Sequence, residues 1–397
     1  MIEQTNRVAF SASPRADDLP DAVVESTFAD PAGLEDFWTH WYLDGFVDAG
    51  QGKVKVLVGR PGSGKTHFLR HFARRAKAMG YRTASVDAAA EKLASIDELY
   101  RAISRQMPWD SLVRAGLRHV LQEQLGYPEF TGPVEDFLGW VERERGLTAT
   151  LIRRDVREAI DAFLGTIDLD GEFFLAIRSW MNQLVLNQDG AAAAEWLLGG
   201  KLGATVRKGM GLRSNVTRRN GRTLLASLAA WVHHLTQRGI VVLVDNIGVL
   251  SLTDRVEGRP YYTRAARDQS YEMMRELIDD SAFSPYLLTV IAGETEQVAN
   301  SRTGFPSYPA LWARLQSEVA ASRPNLFGDL VDLDSLWSEP GEHGARLLDN
   351  WRDVEWTPDE EGIMAPEDKT LGLEWGRPRR VVADVMRQRA GREEGSA

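Results

Sequence analysis

The sequence predicts an α/β fold, in which a parallel sheet carrying a glycine-rich loop is interrupted by a long helical insertion and followed by a mainly helical C-terminal part. Three observations carry this expectation. The run Val54-Lys55-Val56-Leu57-Val58 stops at Gly59 and passes through Arg60-Pro61-Gly62-Ser63-Gly64-Lys65-Thr66 into a segment of helical period. A second run, from Gly239 to Asp245, is apolar throughout and ends in a carboxylate. Between the two, from about residue 96 to residue 237, the apolar residues recur at helical spacing only.

The first strand and its loop match the pattern Gly-x-x-x-x-Gly-Lys-[Ser/Thr] in a strand-to-helix context, which is a phosphate-binding loop. Wrapping a triphosphate requires N–H groups turned inward and close backbone approach, so glycines at 59, 62 and 64 remove the steric obstacle. A helix starting near Gly64 adds the positive end of its dipole. Lys65 would reach the β and γ phosphates, and the Thr66 hydroxyl would complete the shell of a Mg²⁺ ion. The candidate ATP-binding residues are therefore Gly59, Arg60, Pro61, Gly62, Ser63, Gly64, Lys65, Thr66 and His67.

Composition narrows the remaining choices. A chain of 397 residues, 43% of them hydrophobic, can bury the core of one large domain or two ordinary ones. No apolar run reaches about 18 residues, and MIEQTNRVAF has no charged segment followed by an apolar stretch, so a soluble cytoplasmic protein with no membrane contact is expected. The absence of cysteine excludes disulfides, thiolate zinc sites and a cysteine nucleophile. A net charge of −10 argues against a uniformly basic surface, so contact with nucleic acid would have to be local.

Taken in order, residues 1–30 read as a flexible tail, polar and proline-containing up to about residue 25. Residues 31–95 form the first part of the core. In it Leu34, Phe37, Trp38, Trp41, Tyr42 and Phe46 stripe a helix, Phe68 to Ala76 face another after the loop, and Tyr81 to Asp87 make a second strand. Asp87 falls near the loop, where a solvated strand end also explains it.

Residues 96–222 read as the helical insertion, with one face at Leu112, Leu117, Val120 and Leu121. A second combines Leu151, Ile152, Val156, Ile160 and Phe163, and a third runs from Phe173 to Leu184. The insertion ends in an acid-free segment, 207–222, with six cations in sixteen positions, including Arg213, Arg218, Arg219 and Arg222. Clustered arginines suit a phosphate backbone, and a solvated loop explains them as well.

Residues 223–337 read as the second part of the core. The strand ending at Asp245 delivers the second metal-associated carboxylate, so Thr66 and Asp245 are the expected Mg²⁺ ligands. Asn246 follows where many such ATPases have Glu, and it can orient a water but cannot take its proton. A buried strand over 285–292 ends in Gly293-Glu294-Thr295, which would sense the γ-phosphate or cap the next helix. Arg314 is a candidate arginine finger across a subunit interface of a homo-oligomer, or a surface ion pair. A last strand is expected at 330–336, and 338–397 as a helical lid whose basic cluster Arg377, Arg379 and Arg380, at a helix start, brings a cation to the nucleotide.

The order of strand, phosphate loop, helical part, strand with Asp, strand with polar tip and helical lid is similar to AAA+ and related STAND-type P-loop NTPases. Within them the chain resembles the ATP-binding proteins of bacterial BREX phage-defence systems, the BrxD type. The resemblance rests on GRPGSGKTHFLRHFARRAKAMGYRTASVD, the stretch from FLAIRSW to WLLGGKL, VVLVDN, and the segment from LLTVIAGET to LWARL. It implies ATP binding and participation in a multi-protein phage-defence system that discriminates foreign DNA; double-stranded DNA would be met through the basic segment 207–222. It places nucleotide binding on Gly59 to Thr66 and Asp245, and a lid arginine at Arg379. Asn246 departs from the Asp-Glu pair usual in such proteins. The expectation is therefore an ATPase with Lys65, Asp245, Asn246, Glu294 and Arg314 in its catalytic set, or a switch that binds ATP without hydrolysing it.

Overall fold

The computed structural model describes residues 19–252, 261–319, 325–338, 343–352, 378–382 and 385. Among them, helix α1 (Asp21–Thr27) is followed by α2 (Leu34–Trp38), which widens into π-helical turns over Thr39–Val47. Strand β1 (Lys53–Gly59), helix α3 (Lys65–Ala78) and strand β2 (Arg82–Asp87) come next. The insertion holds α4 (Ile96–Ser104), α5 (Trp109–His119), α6 (Phe137–Arg145), α7 (Ala149–Leu164), α8 (Gly171–Val185), α9 (Ala191–Leu197) and α10 (Ala204–Gly209), and α11 (Gly221–Thr236) leads back to the sheet. Strand β3 (Ile240–Asp245), α12 (Arg264–Asp279), β4 (Leu287–Glu294), α13 (Thr295–Ala299) and α14 (Pro309–Val319) return to the core. It closes with β5 (Leu330–Asp332), α15 (Leu333–Ser338) and α16 (His343–Arg352).

The five strands form one all-parallel sheet in the order β2-β3-β4-β1-β5. The central strands β3 and β4 are apolar almost throughout because both faces of the sheet are covered there, whereas edge strand β2 alternates buried and exposed residues. Val54, Val56, Val58, Val242 and Val244 face the core shared with the helical insertion. Leu57, Val241, Leu243, Leu288 and Val290 face a second core made with α1, α2, α3 and the C-terminal helices. Consecutive residues thus point into different layers, as a pleated strand requires.

Several expectations change in detail. Residues 19–30 are not a tail: α1 buries Val24 and Thr27, and Arg70 of α3 donates to the Leu19 carbonyl at 3.0 Å. Sequence reasoning missed α1 because it is short and its polar composition hides a single buried stripe. In α2 the π-helical turns shift the phase of the stripe. Leu34, Trp38, Leu43 and Val47 are buried, whereas Trp41 is 49% exposed. Leu151 likewise stands outside its expected face, 62% exposed. The last strand stops at Asp332, and Leu333 begins a helix.

One buried cation sits inside the second core. Lys55 is fully enclosed, and its ammonium donates to the Tyr42 hydroxyl at 3.0 Å, to the Phe327 carbonyl at 2.9 Å and to the Gly328 carbonyl. It lies 4.6 Å from the Tyr42 ring centroid. Trp38 Nε1 donates to the Leu326 carbonyl at 3.1 Å, so this cluster pins the segment that leads into β5. Removing the ammonium would strand several buried acceptors. Lys55→Met is expected to lower the unfolding free energy by about 2–4 kcal/mol in urea titration, mostly by leaving those acceptors unpaired. Lys53→Met, which loses only the partly exposed pair with Asp329 at 2.6 Å, should cost below about 1 kcal/mol.

Candidate active site

The strand register brings the polar tips of the sheet to one level. Gly59 stands opposite Glu294, and Asp87 opposite Asp245, at the carboxyl ends of four adjacent strands. This is the edge at which open parallel sheets bind ligands. β4 lies between β1 and β3, so Glu294 is set between the glycine-rich loop and Asp245.

The loop after β1 supplies its own internal support. Lys65, 8% exposed, donates to the Gly59 carbonyl at 2.7 Å and the Arg60 carbonyl at 3.1 Å. Ser63 is wholly buried against Gly59, and its carbonyl accepts from Trp337 Nε1 at 2.9 Å. Asp334 accepts from the Arg60 N–H at 2.6 Å and from its guanidinium at 3.2 Å. Gly59, Arg60 and Ser63 therefore shape the loop, while Pro61, Gly62, Gly64, Lys65, Thr66 and His67 line the cavity it borders. Sequence reasoning missed Asp334 and Trp337, since nothing in their spacing points back to a loop 274 residues earlier. Gly62 (φ +80°) must be glycine for two reasons, its left-handed backbone and the Arg379 side chain, 2.5 Å from where a Cβ would stand.

The Thr66 hydroxyl donates to Asp245 Oδ2 at 2.6 Å. One hydroxyl and one carboxylate are the protein donors that suit Mg²⁺, which takes its other ligands from phosphates and water. Thr66 and Asp245 fit such an ion as the residues that would hold it. Asn246 adopts a left-handed backbone (φ 58°), a conformation Asn tolerates better than Glu. Its carboxamide donates to Asp87 Oδ1 at 2.9 Å, so it is tied to the neighbouring strand end. Asp87 is thus exposed yet engaged, as the partner of Asn246.

Glu294 Oε1 lies 3.4 Å from Lys65 Nζ, and Oε2 is buried without a partner among the described residues. Burial pushes its carboxyl above the usual range; the Lys65 ammonium opposes this, and the charges of Asp245 and Asp334 add to it. Glu294 also starts α13, where Gln297 Oε1 accepts its N–H at 3.0 Å. The helix-capping role expected for it is therefore present. The Thr295 hydroxyl is likewise buried without a partner among the described residues.

The cavity has a volume of about 210 Å³ and two unlike halves. Lys65, Thr66, Asp245, Asn246 and Glu294 form the polar end. Leu19, Phe28, Pro31, Leu347, Trp351 and Val382 form an apolar end contributed by the N- and C-terminal segments. His67 is held there by Nε2, 2.9 Å from the Val24 carbonyl, and burial pushes it down to about 4, so its ring is neutral at pH 7. Arg379 lines the cavity and its N–H donates to the Gly62 carbonyl at 3.0 Å. Most of the expected lid, including Gly376 and Arg377, lies outside the described residues.

Other expected residues lie apart from the cavity. Arg314 is held by Asp279 through Nε and Nη2, both at 2.8 Å, which is the surface ion pair rather than a contact to the loop. In the basic segment Arg222 pairs with Asp280 at 2.8 Å, whereas Arg213, Arg218 and Arg219 are exposed. Glu172 organises this segment: it accepts from the N–H groups of Arg213 and Ser214 at 2.7 Å, the Ser214 hydroxyl at 2.6 Å and Asn220 Nδ2 at 3.2 Å. Burial raises the Glu172 carboxyl, but these donors outweigh it and hold it below the usual range.

The chain shows no significant similarity to a functionally curated protein. Residues 43–346, well over half of the chain, match the family model described as BREX system ATP-binding protein BrxC/D. The match takes in the loop, the helical insertion, Asp245 and Glu294, and the chain belongs to this family of ATP-binding proteins of the BREX phage-defence system.

Proposed function

We propose that the protein is a Mg²⁺-dependent ATPase of AAA+ type, cytoplasmic, and driven by ATP within the defence system. The observation that carries this reading is the 2.6 Å hydrogen bond between Thr66 and Asp245, which joins the phosphate loop to the acid-bearing strand across 179 residues of sequence. Lys65 binds the β and γ phosphates, Thr66 and Asp245 hold the metal, and the apolar end of the cavity takes the adenine. A bound Mg²⁺ ion supplies charge neutralisation on the phosphates. Arg379, on the lid side, supplies a further cation. The arginine-finger role of Arg314 is not part of this reading, because Asp279 already engages it.

A second reading is favoured by Asn246, whose side chain is bound to Asp87 instead of standing ready for a water. In it ATP orders the lid and the protein works as a switch without turnover. Exposed Arg213, Arg218 and Arg219 offer double-stranded DNA a local contact in either case, alongside other proteins of the system and further copies of the chain.

Lys65→Ala is expected to weaken ATP binding at least about tenfold in equilibrium dialysis with Mg²⁺, through loss of the charge on the phosphates. If the wild type turns over saturating ATP no faster than Lys65→Ala, with and without DNA, the switch reading holds. Replacing Arg218 and Arg219 by Ala should lower the slope of log K against log salt for DNA binding by about 2. Arg222→Ala should change it less, since Asp280 already pairs that cation.

A further inference from the structure

Position 246 lacks a carboxylate, yet the site does not. We propose that Glu294, at the tip of β4, is the general base that takes the proton from the attacking water. The inference rests on the ATP-binding reading and assigns a specific step within it.

The geometry carries the assignment. The ammonium of Lys65 marks where the β and γ phosphates bind in a loop of this kind. Glu294 Oε1 is 3.4 Å from that ammonium, and β4 sets the residue between β1 and the strand that ends in Asp245. Its other oxygen, Oε2, is buried with no hydrogen-bond partner among the described residues, and so is the Thr295 hydroxyl beside it. A buried carboxylate oxygen with no partner costs free energy, and such groups call for a specific reason. The Glu294 side chain as a whole is 32% exposed and lines the cavity, so a water held for attack can reach its carboxylate there. The backbone also makes room for this side chain: a Cβ at Gly248 would stand 2.6 Å from Glu294 Cγ. Asn246, by contrast, has its carboxamide on Asp87 and its backbone in a conformation that disfavours Glu. The carboxylate has therefore moved one strand over, from the end of β3 to the end of β4.

In the step, the water oxygen forms a bond to the γ-phosphorus. The bond from that phosphorus to the oxygen bridging to the β-phosphate breaks, and its electron pair leaves with ADP. The water proton passes to the Glu294 carboxylate and from there to solvent, so ATP and water give ADP, inorganic phosphate and a proton.

The experiment measures ATP affinity by equilibrium dialysis and steady-state turnover for the full chain, with and without DNA, in the wild type, Glu294→Gln, Glu294→Asp and Lys65→Ala. Glu294→Gln keeps the shape and the start of α13 but cannot accept a proton. The expected result is a loss of kcat of about 100-fold or more with ATP affinity within about threefold of wild type, partly restored in Glu294→Asp. Thermal melting confirms that each variant is folded, and a destabilised Glu294→Gln is replaced by Gly248→Ala, which crowds the same side chain and should lower kcat with ATP still bound. A Glu294→Gln protein that turns over ATP at the wild-type rate overturns the proposal, and tighter ATP binding in it would make Glu294 a competitor for Lys65. Absence of turnover in a wild type that binds ATP overturns the proposal while leaving the nucleotide reading intact. Loss of that reading would show as no ATP binding by the wild type.

Discussion

The site depends on the register of the parallel sheet. Because both faces of β1, β3 and β4 are buried in different cores, a slip of one residue in any of them would turn an apolar set toward the wrong layer. That constraint sets Gly59 level with Glu294 and Asp87 level with Asp245. The chemistry-bearing residues are positioned by hydrophobic packing some distance below them. The long helical connection between β2 and β3 does not disturb this arrangement, since it leaves and re-enters the sheet at fixed register points and covers one face with its own helices.

The glycine-rich loop keeps its form through interactions that a bound phosphate would redistribute. Lys65 is satisfied by two carbonyls of its own loop and by Glu294. The outer side of the loop is bound by Asp334 and Trp337, which follow β5, and β5 in turn is approached through the segment fixed by Lys55. The support of the loop therefore comes from sequence on both sides of it, much of it from the C-terminal part.

How much was legible follows from what kind of signal each element leaves. The loop, the apolar strands and the insertion helices carry fixed spacing, and the sheet and helices appear where the periodicity places them, apart from shifts such as the one at the π-helical turns after Trp38. Asp245 was legible because an apolar run ending in a carboxylate is a strong pattern. Asp334, Trp337 and Phe28 were not, because contacts across long sequence separation leave no local trace. The hydrogen bond from Asn246 to Asp87 was equally hidden, because residue types alone do not pair two strand ends 159 positions apart. The WLLGGKL stretch proves structural in this chain. Trp196 Nε1 donates to the Ser214 carbonyl at 2.9 Å, and the Leu197 carbonyl accepts from Tyr100 at 2.9 Å and Ser104 at 2.7 Å. It joins the helix after β2 to the basic segment, a role that residue types alone do not disclose.

The contact between Arg379 and Gly62 has a mechanical side. The Gly62 carbonyl and the Ser63 N–H belong to one rigid peptide plane and point in opposite directions. In this state the carbonyl accepts from Arg379 N–H at 3.0 Å while the N–H donates to the Arg60 carbonyl at 3.0 Å. A rotation that aims the Ser63 N–H at an anion must swing the Gly62 carbonyl off the Arg379 backbone. That plane couples the glycine-rich loop to the segment that holds Arg379, and it turns about a residue with no side chain to resist.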